Sequence, residues 1–289
     1  MLNVGQITII GTGLLGGSVA LAVRGKGFNG KIAGVGRSSA TVKRAESLGC
    51  WDRLTTDMRD VVGKETDSEL VIVAAPLGHF EEIFTKLAAC QASATVTDVG
   101  STKKLVCDMA RRLLPDRFAF VGSHPMAGSE QQGPEAAAGD LFDGKPCILT
   151  PEEDTDPAAL SLVEALWHEL GMTLIRMTPA EHDRKSAVIS HLPHAASVLL
   201  AQIAGELGGL EIASTGFAGM TRLASSNPPM RADIMTTNRE QLTAMLDVLS
   251  EKTRQLRDMI AGGDDVALLK LLAGVKKMRD DWQAHREGE

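Results

Sequence analysis

The sequence predicts an α/β fold, an N-terminal doubly wound sheet followed by an all-α segment. Three observations carry that expectation. Short apolar runs rich in β-branched residues alternate with helical patterns over the first part of the chain. A glycine-rich turn, G-T-G-L-L-G, joins the first such run to the first helix. After Thr178-Pro179 the pattern changes to long helices, with no convincing strand.

The elements follow in order. Residues 6–10 (QITII) lie between Gly5 and Gly11 and read as a buried strand. Residues 14–26 read as a helix, with Leu14, Val19, Ala20, Leu21 and Val23 apolar and Gly27 as a stop. Residues 31–35 (KIAGV) form the second strand, and 40–48 a helix ending at Gly49. Residues 69–75 (ELVIVAA), stopped by Pro76, then 94–99 and 118–121 supply further strands. The runs 146–149 and 172–177 extend the sheet. Strands alternating with helices imply βαβ units, a parallel sheet and helices on both faces. The acidic, proline-bounded stretch 151–157 suits a surface loop. Residues 180–207 and 239–261 read as long helices. The second carries Leu242, Met245, Leu246, Leu249, Leu256, Met259 and Ile260 on one stripe, which fits either core packing or a subunit interface. A domain boundary is expected near 178, giving 1–178 and 179–289.

The bulk numbers are those of a soluble globular protein: 289 residues, 44% hydrophobic and 23% charged. No unbroken run of about 18 apolar residues exists, so no membrane span is expected. The N-terminus moves straight into a strand and shows no signal peptide. Cys50, Cys90, Cys107 and Cys147 lie far apart with no C-x-x-C pair, the pattern of reduced thiols in a cytoplasmic protein rather than a zinc site. A net charge of −7 argues against a nucleic-acid partner.

The glycine turn sits where a dinucleotide site requires it, with a strand before, a helix after and a second strand beyond. Gly11 allows the tight turn, Gly13 leaves room for the pyrophosphate, and Gly16 lets the helix pack close to the sheet. Leu14 and Leu15 open a helix whose unpaired N–H groups suit phosphate. Ala75 and Pro76, ending the third strand, would border the same cofactor in this Rossmann-type arrangement. At the end of the second strand, Gly36 stands where an acid would bind the ribose of NAD, and Arg37 and Ser38 follow. An arginine there pairs with a 2′-phosphate, so NADP is favoured, with NAD as the alternative.

Four other stretches carry candidate chemistry. GSHPMAGSEQQG (122–133) holds His124 between glycine and proline, and reads as a loop presenting an imidazole. TDVGSTK (97–103) follows a strand, which puts Ser101 at the carboxyl edge of the sheet, where ligands bind in such folds. SHLPHA (190–195) places His191 and His194 three apart on one helical face. No cysteine or acid nearby completes a ligand set, so no metal is expected. GFAGMTRLASSNPPM (216–230) carries Arg222 among small residues between helices, where it can clamp a carboxylate in bidentate fashion.

Together these stretches give a resemblance over nearly the whole chain. With GTGLLGGS, TDVGSTK, GSHPMAGSEQQG, TPAEHD (178–183), SHLPHA and GFAGMTR, the sequence resembles the prephenate and arogenate dehydrogenases of tyrosine biosynthesis. The resemblance implies a Rossmann domain followed by a helical domain that forms a homodimer. It implies that His124 is the catalytic histidine and that Ser101 lies at the reacting hydroxyl and nicotinamide. It further implies that Glu130 lines the substrate pocket, His194 supports it, and Arg222 holds the ring carboxylate. Two positions depart from the family's pattern. Gly219 stands where an acid often precedes the TR pair, and Arg231 stands where many members carry an aromatic residue. Neither a chorismate mutase segment nor a regulatory domain is expected.

The implied reaction fits the residue types. A neutral imidazole with a pKa near ~6.5 suits removal of a hydroxyl proton as hydride leaves the same carbon. Arg222 should position the leaving carboxylate, because binding ground and transition state equally gives no acceleration. Other two-domain Rossmann reductases would more naturally place a lysine or aspartate base on the long helix. A non-catalytic dinucleotide sensor would need no histidine, serine and arginine set. The chain contains no tyrosine, as expected of compositional drift where aromatics make up 3% of residues.

Overall fold

The computed structural model describes residues 2–63, 68–128 and 131–287. The chain divides into two compact units at the Arg239–Glu240 junction. The first contains a sheet of eight strands: β1 (Gln6–Ile10), β2 (Lys31–Val35), β3 (Arg53–Thr55), β4 (Ser68–Val73), β5 (Ala94–Asp98), β6 (Phe118–Pro125), β7 (Pro146–Thr150) and β8 (Thr173–Arg176). Their order is β3-β2-β1-β4-β5-β6-β7-β8. The chain therefore leaves β1 in one direction for β2 and β3, then returns to the other side of β1 through β4. That reversal makes the carboxyl ends of β1 and β4 the place where a crevice opens.

β4 shows why its sequence is apolar throughout. Leu70 and Ile72 belong to one core cluster, while Val71 and Val73 belong to the other. Helices cover both faces. α1 (Leu14–Gly25) and α5 (Pro157–Glu169) bring Val19, Val23, Val163 and Trp167 to the first cluster. α3 (Phe80–Ala89) and α4 (Lys104–Leu113) bring Phe80, Phe84, Leu87 and Val106 to the second. Between them in the chain, α2 (Ser39–Glu46) follows β2.

The strands expected at 6–10 and 31–35 match β1 and β2 at both ends. Three expectations are corrected. First, His124 is on a strand, not a loop. The parallel pairing of β6 with β5 ends at Val121, but the backbone stays extended because β7 pairs antiparallel with residues 122–125, His124 opposite Ile148. Pro125, with no N–H to give the ladder, stands at the strand's last position. Second, the sheet is therefore not all parallel. Third, the segment 216–230 is largely helical. It contains α8 (Thr215–Thr221), a 3₁₀ turn (Arg222–Ser225) and the start of α9 (Pro228–Thr237). Its prolines fall in the first turn of α9, where their missing N–H groups cost nothing, and the Asn227 side chain caps that helix by accepting from the Met230 amide at 2.9 Å.

The chain from Pro179 to Leu207 is one continuous helical stretch of 29 residues. It comprises α6 (Pro179–Ser186), a π turn (Ala187–His191) and α7 (Leu192–Leu207). By length and composition alone it is apolar enough to cross a membrane. Its first part, however, buries His182, Asp183, Ser186, His191 and His194. Toward its C-terminal end, Val198, Leu199, Leu200, Ile203 and Leu207 are exposed. The second unit consists of the long helix α10 (Arg239–Ala261), α11 (Asp265–Glu287) and the short turn between them. On the α10 stripe only Leu242 is buried, while Leu256 and Ile260 are exposed.

Candidate active site

The glycine turn is built by close approach. Gly11 has φ +108°, and a Cβ there would stand 2.4 Å from the Ala74 carbonyl oxygen at the end of β4. A Cβ on Gly16 would lie 1.9 Å from the carbonyl oxygen of Gly11, so helix and turn meet without space for a methyl group. Gly13, by contrast, faces open space. It precedes α1 with no side-chain cap, and the first turn of α1 carries no acid. The N–H groups there are left for an anion, so these residues fit the pyrophosphate of a dinucleotide.

A cavity of about 510 Å³ opens beside this turn, within the size range of small-molecule sites. Gly13, Leu14 and Leu15 line it, with Ala75 and Pro76 beyond β4, Ser101 beyond β5, and His194 of α7. Arg231 and Asp233 of α9 line it as well. Arg37 and Ser38 are exposed beyond β2. The Ser38 hydroxyl is already engaged, capping α2 at the Thr41 amide. Arg222 is exposed and does not line the cavity. Its positive charge still reaches His194. Glu130 lies outside the described residues.

His124 does not line the cavity, although Ala127, three residues on, does. Its ring belongs to a buried relay. His124 Nδ1 lies 2.8 Å from His182 Nε2, and His182 Nδ1 lies 2.7 Å from Asp183 Oδ1. Asp183 also accepts the backbone N–H groups of Lys103 (2.7 Å) and Lys104 (2.9 Å), at the N-terminus of α4. Burial raises the Asp183 carboxyl's pKa, but the hydrogen bonds from His182 and the two amides outweigh it and hold the group below its usual range. The protons follow from that charge. A carboxylate only accepts, so His182 carries its hydrogen on Nδ1 and presents a lone pair at Nε2. His124 must then donate from Nδ1, which leaves its own Nε2 bare. Burial, followed by the neighbouring His182, Lys103 and His191, pushes His124 well below its ordinary pKa, so the ring is neutral near pH 7.

The surrounding polar groups are satisfied. Lys103 and Asp98 form a fully buried ion pair, and Asp98 also accepts the amides of Gly100 (2.8 Å) and Ser123 (3.1 Å). Trp167 Nε1 donates to Ser123 Oγ at 3.0 Å, tying α5 to the strand that carries His124. Asn238 Nδ2 donates to the Asp183 carbonyl at 2.8 Å and to His191 Nδ1 at 3.1 Å. His191 therefore serves this network rather than the cavity, and burial lowers its pKa to about 4. No group of metal-ligating side chains occurs among the described residues.

Sequence reading did not assign roles to His182, Asp183 or Asn238. The signal for the first two was the pair His182-Asp183 in the opening turns of a helix whose Thr178 and Pro179 mark its start. Their partner, His124, is 58 residues away in sequence.

Comparison with known proteins places this geometry. The family model described as the prephenate dehydrogenase nucleotide-binding domain matches residues 19–176, and that of the prephenate dehydrogenase dimerization domain matches 178–274. The chain is 32% identical to a prephenate dehydrogenase of Bacillus subtilis, covering 98% of this chain and 77% of that protein. It is 32% identical to a cyclohexadienyl dehydrogenase of Zymomonas mobilis, covering 95% and 94%. The crystal structure of an Aquifex aeolicus prephenate dehydrogenase in complex with hydroxyphenyl propionate and NAD+ superimposes with a TM-score of 0.90 at 33% identity, covering 97% of this chain and 99% of that one. A glycine turn fit for a dinucleotide, a buried histidine relay and both family models in sequence lead to one assignment: this chain belongs to the prephenate dehydrogenase family.

Proposed function

We propose that the protein oxidatively decarboxylates prephenate to 4-hydroxyphenylpyruvate in tyrosine biosynthesis. The observation that carries this reading is the hydrogen-bond chain that leaves His124 Nε2 as a lone pair on a neutral ring. A bound nicotinamide dinucleotide supplies the hydride acceptor. The chain's own residues do the rest. His124 Nε2 takes the proton of the C4 hydroxyl as that carbon's hydride departs. The resulting carbonyl withdraws electrons, the bond from C1 to its carboxylate breaks, carbon dioxide leaves, and the electron pair completes an aromatic phenolate. The proton held on His124 is then available to the phenolate oxygen. Ser101 orients the reacting hydroxyl, Arg222 positions the ring carboxylate, and Glu130 and His194 shape the substrate pocket. The glycine turn, Leu14, Leu15, Ala75 and Pro76 seat the cofactor. NADP is preferred, because Gly36 offers no acid and Arg37 supplies a cation for a 2′-phosphate. Mixing the protein with prephenate or arogenate and either cofactor, and following absorbance of the reduced cofactor, tests the reading. No reduction in any combination overturns it.

A second reading, with arogenate as the substrate, is favoured by the donor and acceptor pattern at His194 described below. The domain division proposed is 1–178 for the dinucleotide and 179–289 for substrate and assembly, because α6 begins the run of helices. The exposed apolar side chains of α7 suit a second copy of this chain, giving a homodimer. A cytoplasmic location is supported by four buried cysteines with free thiols.

A further inference from the structure

Three buried side-chain polar atoms have no hydrogen-bond partner among the described residues, and two belong to residues lining the cavity: Arg231 Nε and His194 Nε2. By sequence, Arg231 departs from the aromatic residue usual at its position. In the fold it sits on the first turn and a half of α9, with its guanidinium turned partly out of water. Burial lowers its pKa, and among the described residues no carboxylate offsets that effect. Asp233, the acid on the same wall, faces Gly78, whose amide donates to it at 3.3 Å. A half-buried guanidinium without an anion is costly. Such a site is stabilised when a ligand brings the anion.

His194 completes the pattern. Its Nδ1 donates to the Ser190 carbonyl at 2.9 Å, so its Nε2 presents a lone pair. Burial lowers its pKa, and Arg231 and Arg222 lower it further, which keeps the ring neutral. The cavity wall thus carries an unpaired cationic donor and an unpaired neutral acceptor, within electrostatic reach of each other.

We infer that Arg231 is a substrate-binding residue that holds the carboxylate of the substrate's three-carbon side chain. This is a second carboxylate contact, separate from the one proposed for Arg222 at the ring. The inference rests on the functional reading above, which supplies a substrate with two carboxylates. Arg231 reads the group that an α-keto acid and an α-amino acid side chain share. His194 Nε2 reads the adjacent α-carbon, where an ammonium gives it a hydrogen and a ketone does not.

The test uses a ligand that keeps only the side-chain carboxylate. The full-length protein, saturated with NAD, is titrated with 3-(4-hydroxyphenyl)propionate and with the primary amide of that acid. The wild-type protein should bind the acid at least about 10-fold more tightly than the amide. Arg231→Gln should weaken the acid by about 10- to 100-fold and leave the amide unchanged, the range for a charge-assisted hydrogen bond. Arg231→Lys, which keeps the charge without the fork, should fall between and guards against a folding defect in the first variant. Unchanged NAD affinity shows that each variant is folded. Equal wild-type affinity for acid and amide, no binding of either, or full acid affinity in both variants overturns the inference. Turnover is measured separately: a wild-type protein that oxidises neither prephenate nor arogenate overturns the functional reading, whereas the acid and amide contrast is read without turnover.

Discussion

Two neighbourhoods within the first unit obey opposite rules. Around His124, nearly every buried polar group has a partner: His182, Asp183, Lys103, Asp98, Ser123 and Asn238 are linked within hydrogen-bond distance. At Arg231 and His194, a donor and an acceptor are buried and unpaired. A satisfied network fixes one tautomer and one ring orientation, which is what a base must have before substrate arrives. An unsatisfied pair is poised for ligand, because its cost is relieved only on binding. The difference separates proton chemistry from recognition without reference to any bound molecule.

Breaking the satisfied network should have the largest effect. His124→Asn should lower kcat by about 10²–10⁴-fold, the usual share of general-base catalysis, while cofactor affinity is retained. Near-normal turnover in that variant would remove His124 from the chemistry. Asp183→Asn comes next, at about 10- to 1000-fold, because an amide no longer dictates which nitrogen of His182 carries the hydrogen. A merely structural role would leave the pH profile of kcat/KM unmoved; the relay predicts that its acid limb shifts.

Among the recognition residues the effects are smaller and fall on KM. Arg222→Gln should raise KM for prephenate by about 10-fold or more, with a lesser change in kcat. An unchanged KM would contradict the clamp. Arg37→Ala should reduce the preference for NADP over NAD by about 10-fold, and equal use of both cofactors by wild type and variant would remove Arg37 from the choice.

The network also couples to stability. His191 has a folded pKa of about 4, below its unfolded value of about 6.5. The unfolded chain therefore binds this proton first as pH falls, and stability is lost from about pH 6.5 down to about pH 4, by roughly 1–3 kcal/mol. Urea midpoints across that window should fall less steeply in His191→Asn than in wild type; parallel slopes would show that His191 titrates alike in both states.

How much was legible beforehand follows from where each signal lies. β1, β2 and α10 announce themselves through local periodicity and glycine stops. β3, with the sequence RLT, has no apolar run and exists only because β2 pairs with it. β6 extends through His124 because β7, more than twenty residues later, holds it there, so a glycine and a proline that suggest a loop are overruled by tertiary pairing. The glycine turn and Ser101 were legible as neighbours because strand ends converge in this topology, and the cavity they line also takes in His194 of α7. His182 and Asp183 were not, because their role depends on a contact between a strand and a helix from distant parts of the chain. Arg231 was visible only as an unusual residue; its unpaired burial is a property of the folded cavity.

The most direct test is the protonation of the two ring nitrogens of His124 at pH 7, read by ¹⁵N NMR of histidine-labelled protein and assigned by subtraction of the His124→Asn spectrum. The relay predicts a neutral ring with hydrogen on Nδ1 and a bare Nε2. Hydrogen on Nε2 with a bare Nδ1, or a doubly protonated ring, would contradict it.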